Sequence, residues 1–321
     1  MLRVLTLPLS GLLLSGLLLT TGAHAAEVKY FDLPKGSGPH DVAPTADGKV
    51  WYTAQRLGSL GRLDPQTGET EQISLGKGSA PHGVVAGPDG DAWITDGGLN
   101  AIVHVDSERL GVEVIPLPKE AANANLNTAV FDDDGILWFT GQNGFYGRLD
   151  PTTRALKVWA APKGKGPYGI AVTPDGELWY ASLAGGYVGH IDPVGDKVTR
   201  IDPPSAASGP RRLWSDSVGR LWISQWSAGQ LARLDPDNNQ WKTWKLPGDH
   251  PQPYALYVDG MDQVWLSDFA SNAILHFDPQ SERFTTYPSD REHANVRQLL
   301  GRPGEVWGAE SGADRLVVIH E

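Results

Sequence analysis

The sequence predicts an all-β fold, a seven-bladed β-propeller built from four-stranded antiparallel blades. Tryptophan recurs along the chain at spacings of 41 to 45 residues. Asp-Gly, a pair that favours tight β-hairpin turns, precedes several of these tryptophans. Self-similarity of this period is typical of propeller blades, because each blade buries its faces only against its neighbours. The repeating tryptophans, all expected in the core, are Trp51, Trp93, Trp138, Trp179, Trp222, Trp265 and Trp307.

The first 25 residues are predicted to be a cleaved secretory signal peptide, followed by a single propeller domain over residues 26–321. A short basic start precedes an apolar run over residues 4–19, and Ala23-His24-Ala25 is a small-residue cleavage site. The run is short for a bilayer and lacks a basic stop-transfer flank, so we expect no membrane anchor after cleavage. These features predict an exported bacterial protein, either periplasmic or extracellular.

Composition argues against several classes of function. The formal net charge is −11, and the chain lacks the clustered Lys and Arg of nucleic-acid binders. It has no cysteine, which excludes disulfides, thiol catalysis and thiolate metal sites. Because Walker, Rossmann, nucleophile-elbow and HExxH motifs are missing from the sequence, we expect no nucleotide or organic cofactor. We expect the protein to be a monomer.

One repeat shows how each blade is built. From Gly166 the chain gives a first strand, an Asp175-Gly176 turn, the strand that carries Trp179, and a third strand that ends near Asp192. We label the strands of each blade A to D, with A innermost. The last repeat ends after strand C, and residues 28–33 form an isolated strand D before the first repeat. Pairing of these two segments would complete the last blade and leave no free edge.

Strand A begins and strand B ends on the same rim, so two registers of side chains should converge around the central channel. The first register lies eleven residues before each tryptophan, or ten in the shorter last repeat: His40, His82, Asn127, Tyr168, Arg211, Tyr254 and Arg297. The second lies three residues after each tryptophan: Ala54, Asp96, Gly141, Ser182, Gln225, Asp268 and Glu310. Polar variation at equivalent positions is what a ligand site requires, whereas a structural position would repeat.

Three other histidines are interpreted as structural. His104, His190 and His276 alternate with arginines in one register of strand C, and an aspartate follows each after two residues. Residues i and i+2 share a face of a strand, so each histidine would lie beside that aspartate. We therefore expect no metal at these histidines.

The two rim histidines are candidate catalytic residues. His40 and His82 open adjacent blades, and Asp96 lies on the same blade as His82. The three residues are compatible with a general base and its orienting carboxylate, or with part of a divalent-metal site. They are equally compatible with histidines that have only a structural role and whose hydrogen bonds are satisfied within the rim.

The other rim residues are predicted to bind a small-molecule or peptide ligand. Asp268 and Glu310 are expected to face Arg211 and Arg297, where they would bind a zwitterionic ligand or neutralise one another. Trp226 would add an aromatic wall to the mouth of the channel. The candidate ligand-binding residues are Asn127, Tyr168, Arg211, Trp226, Tyr254, Asp268 and Arg297.

A longer motif also recurs in the repeats. The pattern P-[HY]-G-[IV], followed by P-D-G-x-x-W-[FYI]-[TA] and [VI]-G-[RH]-[IL]-D-P, is seen over residues 81–95 and 167–193. It resembles the repeat of the virginiamycin B lyase (streptogramin lyase) family of seven-bladed propellers, and the resemblance covers all seven repeats. The resemblance implies a carbon–oxygen lyase that opens a cyclic depsipeptide at its ester bond by elimination. It also implies Mg²⁺, with histidines and glutamates on the channel rim.

Alignment of the repeats in chain order carries over little of the family's site. The two family histidines meet Tyr254 and Arg297, and one family glutamate meets Asn295. The second glutamate meets Ser311, next to Glu310, which makes Glu310 a candidate catalytic carboxylate.

A rotated alignment makes the histidines coincide. The two family histidines then meet His40 and His82, which occupy adjacent blades. The glutamate positions meet Ala80 and Gly97, and Asp96 lies one residue from the second of them.

Two hypotheses of function follow. The first is an exported, metal-dependent carbon–oxygen lyase or a lactonase-like hydrolase that acts on a cyclic ester. Its base candidates are His40 and His82, and its supporting carboxylates are Asp96 and Glu310. The alternative is a non-catalytic periplasmic propeller that binds a small molecule, a glycan or a protein on the channel rim.

Overall fold

The computed structural model describes residues 26–192 and 196–320. In that part of the chain, 28 β-strands form seven sheets of four antiparallel strands each. The all-β seven-bladed propeller predicted from the tryptophan period is therefore confirmed. Two short 3-10 helices, Gln55–Leu57 and Lys119–Ala121, connect strands, and neither has the length or apolar character to cross a bilayer. The signal peptide predicted for residues 1–25 lies outside the described residues.

The first strand, β1 (Glu27–Asp32), precedes four blades that run outward from the channel in chain order. The first blade contains β2 (Pro39–Pro44), β3 (Val50–Ala54), β4 (Ser59–Leu63) and β5 (Thr70–Ser74). The second contains β6 (Pro81–Ala86), β7 (Ala92–Asp96), β8 (Ala101–Val105) and β9 (Val112–Pro116). The third contains β10 (Leu126–Phe131), β11 (Leu137–Gly141), β12 (Phe145–Leu149) and β13 (Leu156–Ala160). The fourth contains β14 (Pro167–Val172), β15 (Leu178–Ser182), β16 (Tyr187–Ile191) and β17 (Val198–Ile201).

The remaining three blades follow the same order. The fifth contains β18 (Pro210–Ser215), β19 (Leu221–Gln225), β20 (Gln230–Asp235) and β21 (Gln240–Lys245). The sixth contains β22 (Pro253–Val258), β23 (Val264–Asp268), β24 (Ala273–Asp278) and β25 (Arg283–Pro288). The seventh contains β26 (Val296–Arg302), β27 (Glu305–Glu310) and β28 (Arg315–His320), and β1 is its outermost strand.

The ring closes where the two ends of the propeller meet in the seventh blade. Strand β1 pairs antiparallel with β28, from Glu27 opposite His320 to Asp32 opposite Arg315. This pairing confirms the closure predicted from the incomplete last repeat. It also ties the ends of the propeller together without a disulfide, which the cysteine-free chain could not form.

The repeating tryptophans are buried, and the hydrophobic core lies between adjacent blades. Trp51 of the first blade packs in one cluster with Val84 and Ile94 of the second. Several indole N–H groups donate to a carboxylate, as Trp222 does to Asp216 over 3.0 Å. Each blade therefore buries its faces against its neighbours, as the repeat period predicts.

The glycine of the strand C motif makes room for an aromatic ring on strand B. Gly61 lies opposite Tyr52 in the β3–β4 pairing, and a side chain at Gly61 would overlap the Tyr52 ring. The same pairing recurs at Gly147 with Phe139 and at Gly189 with Tyr180. The glycine of this motif therefore allows an aromatic ring of strand B to pack directly against the backbone of strand C.

Gly61→Ala is expected to lower the free energy of unfolding by about 1–3 kcal/mol, because the added methyl group overpacks the Tyr52 ring. Denaturant unfolding of the purified protein measures this change. The matched control is Gly111→Ala, since no atom lies within 4 Å of a side chain added there. Equal stability of the Gly61 variant and the wild type would show that the ring has another place to pack.

The strand C histidines are packed into the blades, but their partners differ from those expected. His104 stacks on Trp93 with ring centroids 4.3 Å apart, and its Nε2 lies 2.7 Å from Asp91. The expected partner, Asp106, instead accepts backbone N–H groups of its own turn. For His104 the predicted i, i+2 pairing was therefore wrong, because Asp106 closes the turn after strand C.

Candidate functional site

A β-bulge near the start of every strand A determines where the rim side chains point. In all seven blades the pairing of strand A with strand B shifts register within these residues, as between Pro39 and Val42 of β2. A bulge bends its strand and re-aims the side chains on it. The second residue of each strand A belongs to a set that we call the channel ring: His40, His82, Asn127, Tyr168, Arg211, Tyr254 and Arg297.

Contacts between blades that are not neighbours show that the channel ring meets at the propeller axis. The hydroxyl of Tyr168 in the fourth blade lies 2.8 Å from that of Tyr254 in the sixth. The Tyr168 ring also lies nearly perpendicular to the ring of His82 in the second blade, with centroids 6.4 Å apart. Six of the ring side chains are buried, and Arg297 is half-buried. The first rim register therefore converges on the channel and largely fills it.

One side of the channel ring holds a pair of histidines with different hydrogen bonds. The imidazole centroids of His40 and His82 lie 3.7 Å apart. His40 Nδ1 lies 2.7 Å from a carboxylate oxygen of Asp41, so His40 Nδ1 donates to the carboxylate. This bond leaves His40 Nε2 as the basic nitrogen of the neutral imidazole. Asp41 therefore holds His40 in the tautomer that a general base requires.

The second histidine carries its proton on the other nitrogen. His82 Nε2 lies 3.1 Å from the amide nitrogen of Asn127, while the amide oxygen of Asn127 accepts from Thr128. Because an amide nitrogen only donates, His82 Nε2 accepts, and the proton of neutral His82 is on Nδ1. That Nδ1 is buried and has no hydrogen-bond partner. His82 thus presents a free N–H donor inside the channel.

Burial and nearby positive charge lower the pKa of both imidazoles. Burial, and then Arg212, Arg297 and Arg211, hold the pKa of His40 well below its ordinary range. Burial is also the largest cause of the lowered pKa of His82, followed by repulsion from His40, and Asp41 only partly offsets them. At neutral pH the pair therefore offers one basic nitrogen and one N–H donor.

The stability of the protein is expected to fall as the pH drops below 6.5. A histidine whose pKa is lowered on folding binds a proton in the unfolded chain before it does so in the folded one. Each of the two buried histidines then removes about 1.4 kcal/mol per pH unit between its unfolded and folded pKa values. Denaturant unfolding between pH 7.5 and 5.5 measures the slope, which should be shallower in a His40→Asn variant. A slope unchanged by this substitution would contradict the assigned neutral state.

Two channel residues that the sequence analysis missed hold this pair in place. Arg212 of the fifth blade lies 3.4 Å from Asp41 of the first and donates over 2.8 Å to Thr128 of the third. Burial raises the pKa of Asp41, and Arg212 works against that rise. Asp41 and Arg212 each follow a ring residue directly in sequence. The sequence signal for both is a charged residue directly after a residue of the first rim register.

The other side of the channel ring is built from arginine and aromatic side chains. The guanidinium carbon of Arg211 lies 3.6 Å from the ring centre of Tyr254 and 4.3 Å from that of Tyr168. Arg211 also donates to the Tyr168 hydroxyl over 2.5 Å. Trp226 adds a third ring, 4.9 Å from the same guanidinium carbon. The predicted aromatic wall therefore borders the arginine and is half-buried at the mouth.

The two phenols of this side differ in acidity. Burial raises the pKa of Tyr168, and the neighbouring Tyr254 raises it further. Burial also acts against ionisation of Tyr254, but Arg211, the bond from Tyr168 and Arg297 outweigh it and lower the pKa of Tyr254. The hydroxyls of Tyr168 and Tyr254 share a hydrogen bond of 2.8 Å, and the Tyr254 oxygen also accepts from Arg297 over 3.3 Å.

The second rim register does not reach the channel ring in the way expected. Asp96 accepts the backbone N–H groups of Ala80, Gly98 and Leu99, all over 2.9 Å, so it closes its loop and does not orient His82.

Asp268 likewise accepts backbone N–H groups, those of Ala270 and Ser271 in the loop after β23 and that of Gln252 just before β22. Glu310 pairs with Arg315, and no ion pair in residues 26–192 and 196–320 links it to a channel arginine. The expected pairing of Asp268 and Glu310 with Arg211 and Arg297 is therefore corrected. Backbone N–H groups at the ends of the loops require acceptors, which the Asp268 carboxylate provides, and Glu310 is engaged by Arg315 of its own blade.

The residues present do not fit Mg²⁺. Suitable donor atoms of His40, Asp41 and His82 come within 4.8 Å of one another, which is the spacing of a metal site. However, Mg²⁺ prefers an octahedron of oxygens, whereas this set offers two imidazoles and one carboxylate. That carboxylate is already bonded by His40 and lies beside Arg212. A divalent cation there would face three arginines with a single acidic partner.

The channel continues past the ring as a small cavity of about 60 Å³. Asp41 and Arg212 contribute to its lining, most of which is apolar and includes Val84, Ile170 and Leu299. The volume is enough for a few water molecules at most, since one water needs about 10–15 Å³ measured in this way. A larger ligand must therefore approach from the opposite mouth, where Trp226, Phe269 and Arg297 are half-buried.

Comparison with known proteins points to one family. The model of the Virginiamycin B lyase family matches residues 19–277. The crystal structure of selenomethionine-substituted virginiamycin B lyase from Staphylococcus aureus has a TM-score of 0.85 and 19% identity, over 92% of this chain and 100% of that chain. A streptogramin B lyase structure gives 0.84 and 22%, over 92% and 97%.

A catalytically inactive variant of the S. aureus enzyme with quinupristin gives a TM-score of 0.85 and 20% identity, over 92% of this chain and 100% of that chain. At these identities the structural likeness shows the fold alone. No curated protein matches the sequence.

Proposed function

The chain belongs to the virginiamycin B lyase family, and on that basis we propose that it is a carbon–oxygen lyase that works by elimination at the channel ring. The observation that carries the proposal is the pair of buried neutral histidines, one held by Asp41 as a base and the other with a free N–H group. Family membership supports the reaction class. The substrate would be a small ester with a proton next to a carbonyl group.

His40 is the proposed general base. Its Nε2 would remove the proton on the carbon next to the substrate carbonyl, while Asp41 accepts from Nδ1 and stabilises the imidazolium that forms. The electron pair of that C–H bond forms a carbon–carbon double bond as the neighbouring C–O bond breaks. The carboxylate leaves, and His40 later returns its proton to solvent. A cyclic ester is then opened without a change of mass.

The free N–H group of His82 is the proposed donor to the oxyanion. Negative charge develops on the carbonyl oxygen during proton removal, and a preorganised donor in a water-poor site stabilises that charge. His82 can do this as a neutral imidazole, because Asn127 fixes the proton on Nδ1. Guanidinium groups next to the pair add positive potential. No step needs the Mg²⁺ implied by the family resemblance, for which the donor atoms here are unsuited.

Export is part of the proposal. A basic start, an apolar run and the Ala23-His24-Ala25 site in the first 25 residues support cleavage by a signal peptidase. N-terminal sequencing of protein recovered from the periplasm and the medium would test it, with Ala26 expected as the first residue. A chain that keeps Met1 in the cytosolic fraction would refute export.

Mass spectrometry of quinupristin incubated with the purified protein tests the proposed reaction. We expect a linear product of unchanged mass that contains a new double bond. A product heavier by one water would instead indicate a lactonase-like hydrolase. Intact quinupristin would contradict the lyase proposal for this ester and would favour a propeller that only binds its ligand at the mouth.

A further inference from the structure

The guanidinium of Arg211 is buried without an acidic partner. It is 9% exposed, and its polar contact is the hydroxyl of Tyr168. Its Nε is also buried and has no hydrogen-bond partner. Among the residues that the structure describes, no carboxylate comes within ion-pair distance of Arg211. A buried charge without a counter-charge is costly, and an unpartnered buried donor requires an explanation.

Arg297 lies at the mouth and is likewise held by neutral groups. It donates to Ser311 over 2.8 Å and to the hydroxyl of Tyr254 over 3.3 Å. Asp41 is the one carboxylate that pairs with a channel arginine in residues 26–192 and 196–320, and its partner is Arg212. The channel therefore carries three guanidinium groups against one carboxylate, and the two nearest the mouth are the unpaired ones.

The phenol of Tyr254 occupies the place between these two arginines. Its ring lies under Arg211, and its oxygen accepts from Arg297 and is hydrogen-bonded to the hydroxyl of Tyr168. A phenol oxygen that accepts a hydrogen bond from a cationic group occupies the kind of position that an anionic oxygen prefers. A negatively charged ligand oxygen near this position would interact with the two arginines more strongly than the neutral phenol oxygen does.

Apolar rings surround the same position. Phe269 stacks on Tyr254 with centroids 4.4 Å apart and nearly parallel planes, and Trp226 meets Phe269 edge to face at 5.8 Å. Both rings are half-buried, so part of their surface remains open at the mouth. A ligand that carries an apolar group next to its charge would contact rings and guanidinium groups together.

We propose that Arg211 and Arg297 form a carboxylate-binding site at the channel mouth, specific for carboxylates joined to an apolar or aromatic group. Binding itself follows from the two unpaired guanidinium groups. Its catalytic meaning rests on the proposed function, because the carboxylate is then the group that leaves in the elimination. Ester substrates are thereby favoured over ethers and glycosides, whose leaving groups are alcohols.

Isothermal titration of the mature protein at pH 7.5 tests the site with three probes. Benzoate carries the carboxylate and the ring, benzamide has the same shape without the charge, and inorganic phosphate is a different oxyanion. We expect saturable binding of benzoate and none of benzamide. Binding of benzoate should weaken roughly tenfold or more in Arg297→Gln and Arg211→Gln, since each loses a charged hydrogen-bond donor.

The matched control is Arg233→Gln, because Arg233 stacks on Trp222 in strand C, away from the channel. This variant should bind benzoate as the wild type does. Circular dichroism shows whether each variant is folded. Arg297→Lys is a conservative replacement, because it keeps the positive charge at a half-buried position.

Benzoate binding that is lost equally in the Arg233 control, or no saturable binding of benzoate at all, would overturn the assignment. Binding of phosphate without benzoate would also overturn it, in favour of a tetrahedral oxyanion. A His40→Gln variant separates this inference from the proposed function, because it should lose turnover and keep benzoate binding. Benzoate binding by a protein without lyase activity would refute the reaction and leave the carboxylate site standing.

Discussion

Deletion of residues 26–33 is expected to leave the mature chain largely unfolded at 25 °C, or to lower its Tm by more than about 10 °C. The deletion removes β1, the outermost strand of the seventh blade, and exposes the edge of β28. Phe31 stacks on Trp307 with centroids 5.5 Å apart, and Leu33 lies in the same hydrophobic cluster. Loss of several such side chains, at about 1.5–3 kcal/mol each, is large against a typical total of about 5–15 kcal/mol.

Thermal unfolding followed by circular dichroism measures the effect of this deletion. The matched control is Lys29→Ala in the full mature chain, because the Lys29 side chain is exposed on the same strand. Addition of a synthetic peptide of residues 26–33 should raise the Tm of the shortened chain by restoring the missing strand. A shortened chain with the Tm of the control would mean that the ring closes without β1.

His40→Gln is expected to reduce lyase turnover by about 10²–10⁴-fold, the usual contribution of a positioned general base. Asp41→Asn should reduce it to a similar degree, because an amide no longer holds His40 in the basic tautomer. The rate of formation of the isomeric product measures both effects. His104→Gln, which changes a histidine packed on strand C outside the channel, should leave the rate unaltered.

Stability must be measured beside the rate, since His40 and Asp41 are both buried. Unfolding curves show whether a slow variant is folded under the assay conditions. A folded His40→Gln protein with the rate of the wild type would show that another group removes the proton. His82→Gln then distinguishes the two histidines, because it should slow the reaction without altering the pKa seen on the acid side of the rate profile.

The architecture could be predicted from the sequence because each repeat corresponds to one blade. Each tryptophan packs between neighbouring blades, so the period of Trp51 and its six equivalents counts the blades. The closing strand could be predicted as well, since the last repeat lacks its strand D and Val28 begins a strand with no other partner. These features depend only on spacing, which a sequence shows directly.

The rim carboxylates could not be placed by the same reasoning. Spacing correctly puts Asp96 opposite Pro81 at the channel end of its blade. It does not show that the loop after β7 leaves backbone N–H groups in need of an acceptor, which Asp96 then satisfies. Side-chain direction at a strand end is set by such local competition.

Asp41 and Arg212 were missed for a related physical reason. Consecutive residues of a regular strand point to opposite faces, so strand geometry alone gives no reason to place the neighbours of His40 and Arg211 at the same site. The bulge at the start of strand A removes this alternation and brings both neighbours to the channel. A Pro-His-Asp sequence at the start of a strand A can therefore be used to search other propeller sequences for the same arrangement.

The most direct test of the central claim is the rate of quinupristin opening after exhaustive treatment with EDTA and again after addition of Mg²⁺. The claim is that His40, His82 and the channel arginines perform the elimination without a divalent cation. It predicts the same rate of formation of the isomeric product under both conditions. A rate that vanishes with EDTA and returns with Mg²⁺, or no isomeric product under either condition, would contradict it.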